Sequence, residues 1–220
     1  MRGEAGLSVI LAIQIAIIFV VSPLAATNAV SAPLVEGLRF GLAAATILVI
    51  AGGAVIRWAV AVAFAATLIA TMRWHMGQTA VVIGLFRAAA TLTFDLIVAS
   101  IVAVATFRPG RVTVHRILGA VILYLYIALV FATVYRMLMP ILTPNFGGMT
   151  EDPRSQFAGL LYFSLGALTT SASGDIVALH PVLRSLAGLE SVVGQLYPAT
   201  IIARLVSLHA ARGSREEADT

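Results

Sequence analysis

The stretch AGLLYFSLGALTTSASGDI, residues 158–176, decides the fold of this chain. It follows Asp152-Pro153, an acidic residue and a proline of the kind found in the first turn of a helix. The segment 154–168 would form a helix of roughly 22 Å, which is too short to cross about 30 Å of hydrocarbon. We therefore predict that it enters the membrane and turns back, with residues 169–175 at membrane depth, surrounded by protein or facing water.

The composition indicates a membrane protein. Of the 220 residues, 60% are hydrophobic and 11% are charged, and the mean hydropathy is +1.00, a balance that a soluble globule of this size would not show. There is no cysteine, which excludes disulfides and thiolate metal sites. The net charge of +4 is small and scattered, so no nucleic-acid partner is expected. Five apolar runs predict spans at about 7–27, 34–52, 79–106, 113–140 and 183–209. A shorter run near 58–72 is predicted to be the sixth span, with local thinning of the bilayer or help from neighbouring helices.

The positions of arginine predict the topology, because cytoplasmic loops are enriched in positive charge. Placing both termini in the cytoplasm puts most loop arginines on that side. Arg108, Arg111 and Arg116 would then face the inner leaflet, where a basic cluster attracts anionic lipid. The N-terminal apolar stretch also resembles a secretory signal peptide. We prefer a retained first span, because Glu4 lies where a signal peptide would be basic.

Several charged residues lie inside predicted spans, where each is costly and defaults to a functional or paired role. Arg87 is a gating charge or a partner of Asp95 or Glu36, and we prefer pairing because a voltage sensor needs several arginines. Glu190 is either an anchor hydrogen-bonded behind the re-entrant segment or a protonated carboxyl satisfied by a neighbouring helix. Gly194, on the same helix face as Glu190, is a hinge or a close-packing point.

The second half of the chain carries a resemblance to a known family. The matching residues are Tyr162-Phe163-Ser164, Thr169-Thr170, Gly174-Asp175-Ile176, His180-Pro181, Leu189-Glu190 and Gly194-Gln195-Leu196-Tyr197. From about 113 to 209 the chain resembles the pore module of prokaryotic six-transmembrane, non-voltage-gated potassium channels. Residues 1–112 resemble that family more weakly. The family's filter motif, Thr-Thr-x-Gly-Tyr-Gly-Asp, falls on residues 169–175.

The resemblance implies an all-α membrane protein of the prokaryotic inner membrane. Residues 1–112 would form a four-helix transmembrane domain, residues 113–209 a pore domain of outer helix, pore helix, filter and inner helix, and residues 210–220 a short cytoplasmic tail, which we expect to be disordered. One pore loop per chain implies a homotetramer. The resemblance implies passive transport of the monovalent cations potassium and sodium, with no enzymatic activity, no cofactor and no other metal.

The resemblance also assigns roles to individual residues. Glu190, with the aromatic residues Tyr162 and Phe163, would support the filter, and Gly194 would be the candidate gating hinge. The selectivity filter, which binds the ion, would consist of Thr169, Thr170, Ser171, Ala172, Ser173, Gly174 and Asp175.

The filter departs from the family pattern at two positions. Ala172 replaces a glycine that needs a left-handed backbone, which costs a non-glycine residue about 1–2 kcal/mol. Ser173 replaces a tyrosine that braces the filter against aromatic residues of the pore helix. We therefore expect a channel with weak selectivity between potassium and sodium.

Other functions remain open from the sequence. A channel relative that has lost conduction would serve as a scaffold or regulator in the membrane. A small transporter would use Asp95, Arg87 and Glu190. An intramembrane serine protease would use Ser173, but Ser171 stands where its motif needs glycine, and His209 lies at the far end of the last span.

Overall fold

A computed structural model of the chain describes residues 2–27, 81–107, 114–150, 152–171 and 174–218, with single positions between 34 and 69. The described part is mostly helical. The first helix, α1, is followed without a break by a π-helical turn at Ile17–Val21 and then by α2. The elements are α1 (Arg2–Ala16), α2 (Ser22–Ala26), α3 (Val81–Phe107), α4 (Val114–Leu138), β1 (Phe146–Gly147), α5 (Pro153–Thr169), β2 (Val177–Ala178) and α6 (Pro181–Ala218).

Three helices among the described residues are long and apolar enough to cross a membrane, at Gly84–Val104, Arg116–Leu138 and Pro181–Arg204. They lie in α3, α4 and α6. The prediction of a helical membrane protein is confirmed to this extent. Only single positions are described in the spans predicted near 34–52 and 58–72, so the count of six stays a prediction.

Helix α4 is the centre of the packing, in contact with α1, α3, α5 and α6. Its side chains Ile122, Tyr126 and Tyr135 are among the most deeply buried of the described residues. A polar contact crosses the interface with α3, where the Thr133 hydroxyl donates to Asp95 Oδ2 at 3.1 Å. Asp95 is thus buried and hydrogen-bonded to α4. The predicted pairing of Asp95 with Arg87 stays a prediction, because the side chain of Arg87 is not described.

The short helix α5 lies between α4 and α6. It begins after Asp152, whose carbonyl accepts the N–H groups of Ser155 and Gln156 at 3.1 Å each. The helix therefore starts where the Asp-Pro pair predicted. Its bounds, Pro153–Thr169, exceed the predicted 154–168 by one residue at each end.

A two-stranded sheet joins the segments on either side of α5. Strands β1 and β2 are antiparallel, with Phe146 opposite Ala178 and Gly147 opposite Val177. Gly148 follows with φ of 74°, and a Cβ there would lie 1.8 Å from the carbonyl oxygen of Asp175. Only glycine fits this close backbone crossing. The chain that enters α5 and the chain that leaves residues 169–175 are therefore held together on the same side.

The expectation of a disordered tail was wrong. Helix α6 continues without a break from Pro181 to Ala218. Residues 210–218 are mostly alanine, arginine and glutamate, which are strong helix formers, and they extend a helix that is already nucleated.

Candidate functional site: the C-terminal end of the short helix

Helix α5 ends in a Schellman motif. Thr170 N–H donates to Ala167 O at 3.2 Å, and Ser171 N–H donates to Gly166 O at 2.9 Å, which are the two hydrogen bonds of that motif. The left-handed position belongs to Thr170, with φ of 57°. Glycine is the usual residue there, because a β-branched side chain is strained in this conformation. The helix end is thus built on a strained threonine.

This strain makes a prediction about Thr170. The Thr170→Gly variant should be more stable than Thr170→Ala by about 1 kcal/mol, because both lose the hydroxyl and only glycine relieves the left-handed backbone. Reversible unfolding in mixed detergent micelles measures the difference. Equal stability of the two variants would contradict the assignment of strain to this residue.

Side-chain and backbone oxygens cluster at the same helix end. The Thr169 hydroxyl donates to Leu165 O at 2.6 Å and lies 2.6 Å from Ser171 Oγ. The Thr170 hydroxyl donates to Thr169 O at 2.7 Å. All three hydroxyl-bearing residues are exposed. The negative end of the helix dipole lies here, and oxygen ligands at a negative helix end favour a cation.

The middle of the predicted filter, Ala172 and Ser173, lies outside the described residues. Beyond it, Gly174 has φ of 82°, and nothing lies within 4 Å of a Cβ built there. Asp175 is exposed, and its Oδ1 accepts the Tyr162 hydroxyl at 3.1 Å. Tyr162 thus connects α5 with the segment that follows the predicted filter.

Phe163, the second predicted filter support, packs against two other aromatic rings, and its role as a filter support stays a prediction. Its ring lies 5.4 Å from Tyr135 and 5.1 Å from Phe146, in edge-to-face contacts. These rings belong to α4 and β1. Phe163 therefore fixes α5 against its neighbours.

Glu190 joins α4, α5 and α6 through a buried network. Its side chain is fully buried. The Tyr135 hydroxyl, from α4, donates to Glu190 Oε2 at 2.7 Å, and Ser164, from α5, is hydrogen-bonded to Glu190 Oε1. Ser164 Oγ also lies 2.8 Å from Ala128 O. The carboxyl is thus located behind α5, bonded to the helix itself and to α4.

The last carbonyls of α5 are held by side chains that the sequence analysis did not single out. Ser191 Oγ, from α6, donates to Ala167 O at 2.8 Å, and the Tyr124 hydroxyl, from α4, donates to Leu168 O at 3.3 Å. The sequence indicated that these hydroxyl groups are hydrogen-bonded, since hydroxyl side chains in apolar helices must find partners. It did not indicate which groups the partners are.

Gly194 lies at the contact between α6 and the end of α5. A Cβ there would be 1.8 Å from Leu168 O and 2.7 Å from Leu168 C. The structure therefore places Gly194 at a point of close packing, one of its two predicted roles. Its role as a hinge stays a prediction.

At the other end of α6, Arg204 contacts the last turn of α3. Its Nη2 donates to Phe107 O at 2.9 Å, its Nη1 to Thr106 O at 3.4 Å, and the guanidinium lies 5.3 Å from the centre of the Phe107 ring. A cation is favourable at a helix C-terminus. Arg116 is half-buried, whereas Arg108 and Arg111 lie outside the described residues, so the lipid-binding cluster stays a prediction.

Comparison of the chain with protein-family models, curated proteins and solved structures finds no match. The fold and the site together define a helical membrane protein in which a short helix is held between two membrane-length helices. Its function must be argued from the site.

Proposed function

We propose that this chain is one subunit of a homotetrameric channel that conducts monovalent cations, potassium among them, passively along an axis lined by residues 170–174. The observation that carries the proposal is the placement of α5. This helix is too short to span, lies between α4 and α6, and ends in a cluster of hydroxyl and carbonyl oxygens. Such a helix followed by non-helical backbone is tolerated at membrane depth only beside a cavity or within protein.

The proposed chemistry is replacement of the ion's water shell by protein oxygens. In this proposal the carbonyl and hydroxyl of Thr170 form the innermost ion site, and the carbonyls of residues 171–174 form sites further out. The negative ends of four α5 helices would point toward the axis and favour a cation. A single chain supplies only one such helix, so a closed ring needs four copies around one axis.

A second candidate function is a membrane scaffold or regulator that does not conduct. The hydrogen bonds of the hydroxyl cluster favour it. Within one chain, Thr170 Oγ1 is bonded to Thr169 O, and Thr169 Oγ1 to Ser171 Oγ. These hydrogen bonds hold the cluster together within one chain without a bound ion.

A flux assay in liposomes distinguishes these functions. We expect the purified protein to release potassium passively down its gradient, without coupling to a second ion. Thr170→Val removes one proposed ion ligand from each subunit and should lower the flux several-fold. Thr93→Val is the control, because Thr93 is an exposed threonine of α3 whose hydroxyl also donates to a backbone carbonyl, that of Ala89 at 2.9 Å.

Two results of the assay, and one measurement of mass, would contradict the channel. Silence of the unmodified protein would favour the non-conducting homologue. Saturable uptake that depends on a second ion would favour a transporter. A particle in mild detergent with a mass of one or two chains of 23.0 kDa, instead of four, would remove the ring on which the filter depends.

Selectivity tests the altered filter directly. With Ala172 and Ser173 in place of glycine and tyrosine, potassium and sodium should permeate with comparable ease. The double variant Ala172→Gly with Ser173→Tyr should raise the preference for potassium, because glycine accepts the left-handed backbone without penalty. Bi-ionic reversal potentials measure the permeability ratio. An unmodified protein that is already strongly potassium-selective, with a double variant no more so, would show this interpretation of the filter to be wrong.

A further inference from the structure

Helix α6 contains a proline, Pro198, within its membrane-length segment. A proline has no backbone N–H, so it cannot donate to the carbonyl four residues earlier, which is Gly194 O. Sharp bends in helices occur at prolines because this hydrogen bond is missing. Pro198 therefore divides the span into an upper part, residues 181–197, and a lower part, residues 199–204.

The carbonyl that Pro198 leaves without a helical partner accepts a hydrogen bond from another helix. The Tyr124 hydroxyl, from α4, lies 3.5 Å from Gly194 O and 3.3 Å from Leu168 O, in the last turn of α5. Neighbouring side chains satisfy the backbone groups that a proline frees in a membrane helix. One hydroxyl carries one proton, so the two carbonyls share it. The break in α6 is thus connected to the end of α5.

The two parts of the span differ in how they are held. In the upper part, Leu183 and Glu190 are fully buried. In the lower part, none of residues 199–203 is buried. The described hydrogen bonds from the lower part to another helix are those of Arg204. A segment with few buried contacts is one that opens at low cost, so the position of the lower part depends on one side chain.

The contacts of Arg204 all end on one turn of α3. Its Nη2 donates to Phe107 O at 2.9 Å and its Nη1 to Thr106 O at 3.4 Å, while the guanidinium lies 5.3 Å from the centre of the Phe107 ring. The C-terminal end of a helix favours a cation. Because one side chain makes all three contacts with one turn, they form and break together.

We propose that Arg204 is a releasable contact that holds the lower part of α6 against the end of α3, and that Pro198 is the hinge about which this part moves when the contact breaks. The position of α3 thereby controls the direction of the lower part. The upper part stays fixed by its buried side chains. The proposal rests on the geometry of α3 and α6 and does not depend on conduction.

Distances between spin labels test this movement. The chain has no cysteine, so cysteine substitutions carry labels at chosen positions only. The lower pair is Val104→Cys with Val206→Cys, and the upper pair is Leu96→Cys with Val192→Cys; each pair joins α3 to α6, and all four side chains are exposed. Double electron–electron resonance measures both pairs on the full chain in lipid nanodiscs. Labelled chains are diluted into unlabelled ones, so that each distance lies within one chain.

Arg204→Met keeps the length of the side chain and removes its donors and charge. A bend of about 20° at Pro198 would move residue 206, about 12 Å further along the helix, by about 4 Å. We therefore expect the distance of the lower pair to lengthen by about 4 Å and that of the upper pair to stay the same. Arg184→Met is the matched control, because Arg184 is an arginine of α6 whose Nε donates to Ala178 O at 2.9 Å.

Pro198→Ala tests the hinge. Alanine restores the N–H that donates to Gly194 O and stiffens the helix. In the Pro198→Ala background, Arg204→Met should change the distance of the lower pair distinctly less than it does in the unmodified background. An equal change in both backgrounds would show that Pro198 is not the hinge.

Three further results would overturn the proposal: a lower pair that Arg204→Met leaves unchanged, an equal shift of both label pairs, or an equal shift in Arg184→Met. If Arg204→Met does not fold, Phe107→Leu decides. It removes the ring beside the guanidinium and should add a population with a longer distance in the lower pair; a single unchanged distance would overturn the contact. Because the measured quantity is a distance, a chain that conducts no ion can pass this test, and a conducting chain can fail it.

Discussion

Gly194→Ala should disrupt the packing of α5 more severely than the same change to alanine at any other described glycine of α6. The new Cβ would lie 1.8 Å from Leu168 O, 2.7 Å from Leu168 C and 3.0 Å from Leu168 Cα. All three are backbone atoms, so no side-chain rotation can relieve the overlap. Either α6 bends or the end of α5 moves. We expect a loss of about 3–5 kcal/mol, at the upper end for overpacking by one substitution.

The displacement would also affect the candidate site. Ser191, from α6, holds the carbonyl of Ala167, and a shift of α5 away from α6 would break this hydrogen bond. The oxygen cluster at residues 169–171 comes directly after Leu168 in the chain and would move with it. We therefore expect ion flux to be lost together with stability.

Gly188→Ala is the matched control on the same helix. Nothing lies within 4 Å of a Cβ at Gly188, and alanine is favoured over glycine inside a helix by about 1 kcal/mol. This variant should be as stable as the unmodified chain or slightly more stable. Thermal unfolding in detergent compares the two variants. Similar unfolding temperatures for both would contradict the close approach at Gly194.

Several parts of this fold could be predicted because the signals are local. The start of α5 follows from the Asp152-Pro153 pair, and its length follows from the apolar run up to Thr169. The lack of a side chain at Gly194, four residues after Glu190 on one helix face, made a close contact between helices one of its two predicted roles. Each inference needs only a few neighbouring residues.

The partners of the buried polar groups could not be predicted for a physical reason. A membrane helix is apolar on all sides, so its sequence does not show which face meets protein and which meets lipid. Tyr135 and Tyr124 lie in the same apolar run, yet one bonds Glu190 and the other the end of α5. Phe163 illustrates the same limit, because only the packed structure shows that its ring meets Tyr135 and Phe146.

Glu190 gives the second large expected effect, and its hydrogen bonds indicate which substitution the site tolerates. Ser164 Oγ is within hydrogen-bonding distance of both Ala128 O and the Glu190 carboxyl. A hydroxyl carries one proton. If that proton goes to Ala128 O, the hydrogen bond between Ser164 and Glu190 needs a proton from the carboxyl. A neutral carboxyl completes the hydrogen bonds of the network. At membrane depth, burying it also costs less free energy than burying a charge.

Glutamine reproduces that arrangement. In Glu190→Gln the amide nitrogen can donate to Ser164 Oγ while the amide oxygen accepts from Tyr135, so the variant should lie within about 1 kcal/mol of the unmodified chain. Glu190→Ala leaves the Tyr135 hydroxyl without its acceptor and opens a cavity between α4, α5 and α6. It should cost about 3–5 kcal/mol.

Reversible unfolding of both variants measures these differences in the free energy of unfolding. The variant Tyr135→Phe shows how much of each difference comes from the hydrogen bond of the Tyr135 hydroxyl. In the Glu190→Ala background, Tyr135→Phe should cost little or restore stability, because it removes the hydroxyl that has lost its acceptor. In the unmodified background it should cost about 0.6–1.7 kcal/mol, between the average and the largest values for hydrogen bonds between membrane helices. A glutamine variant as unstable as the alanine variant would show that the network requires an ionised carboxylate, and the proton count given above would then be wrong.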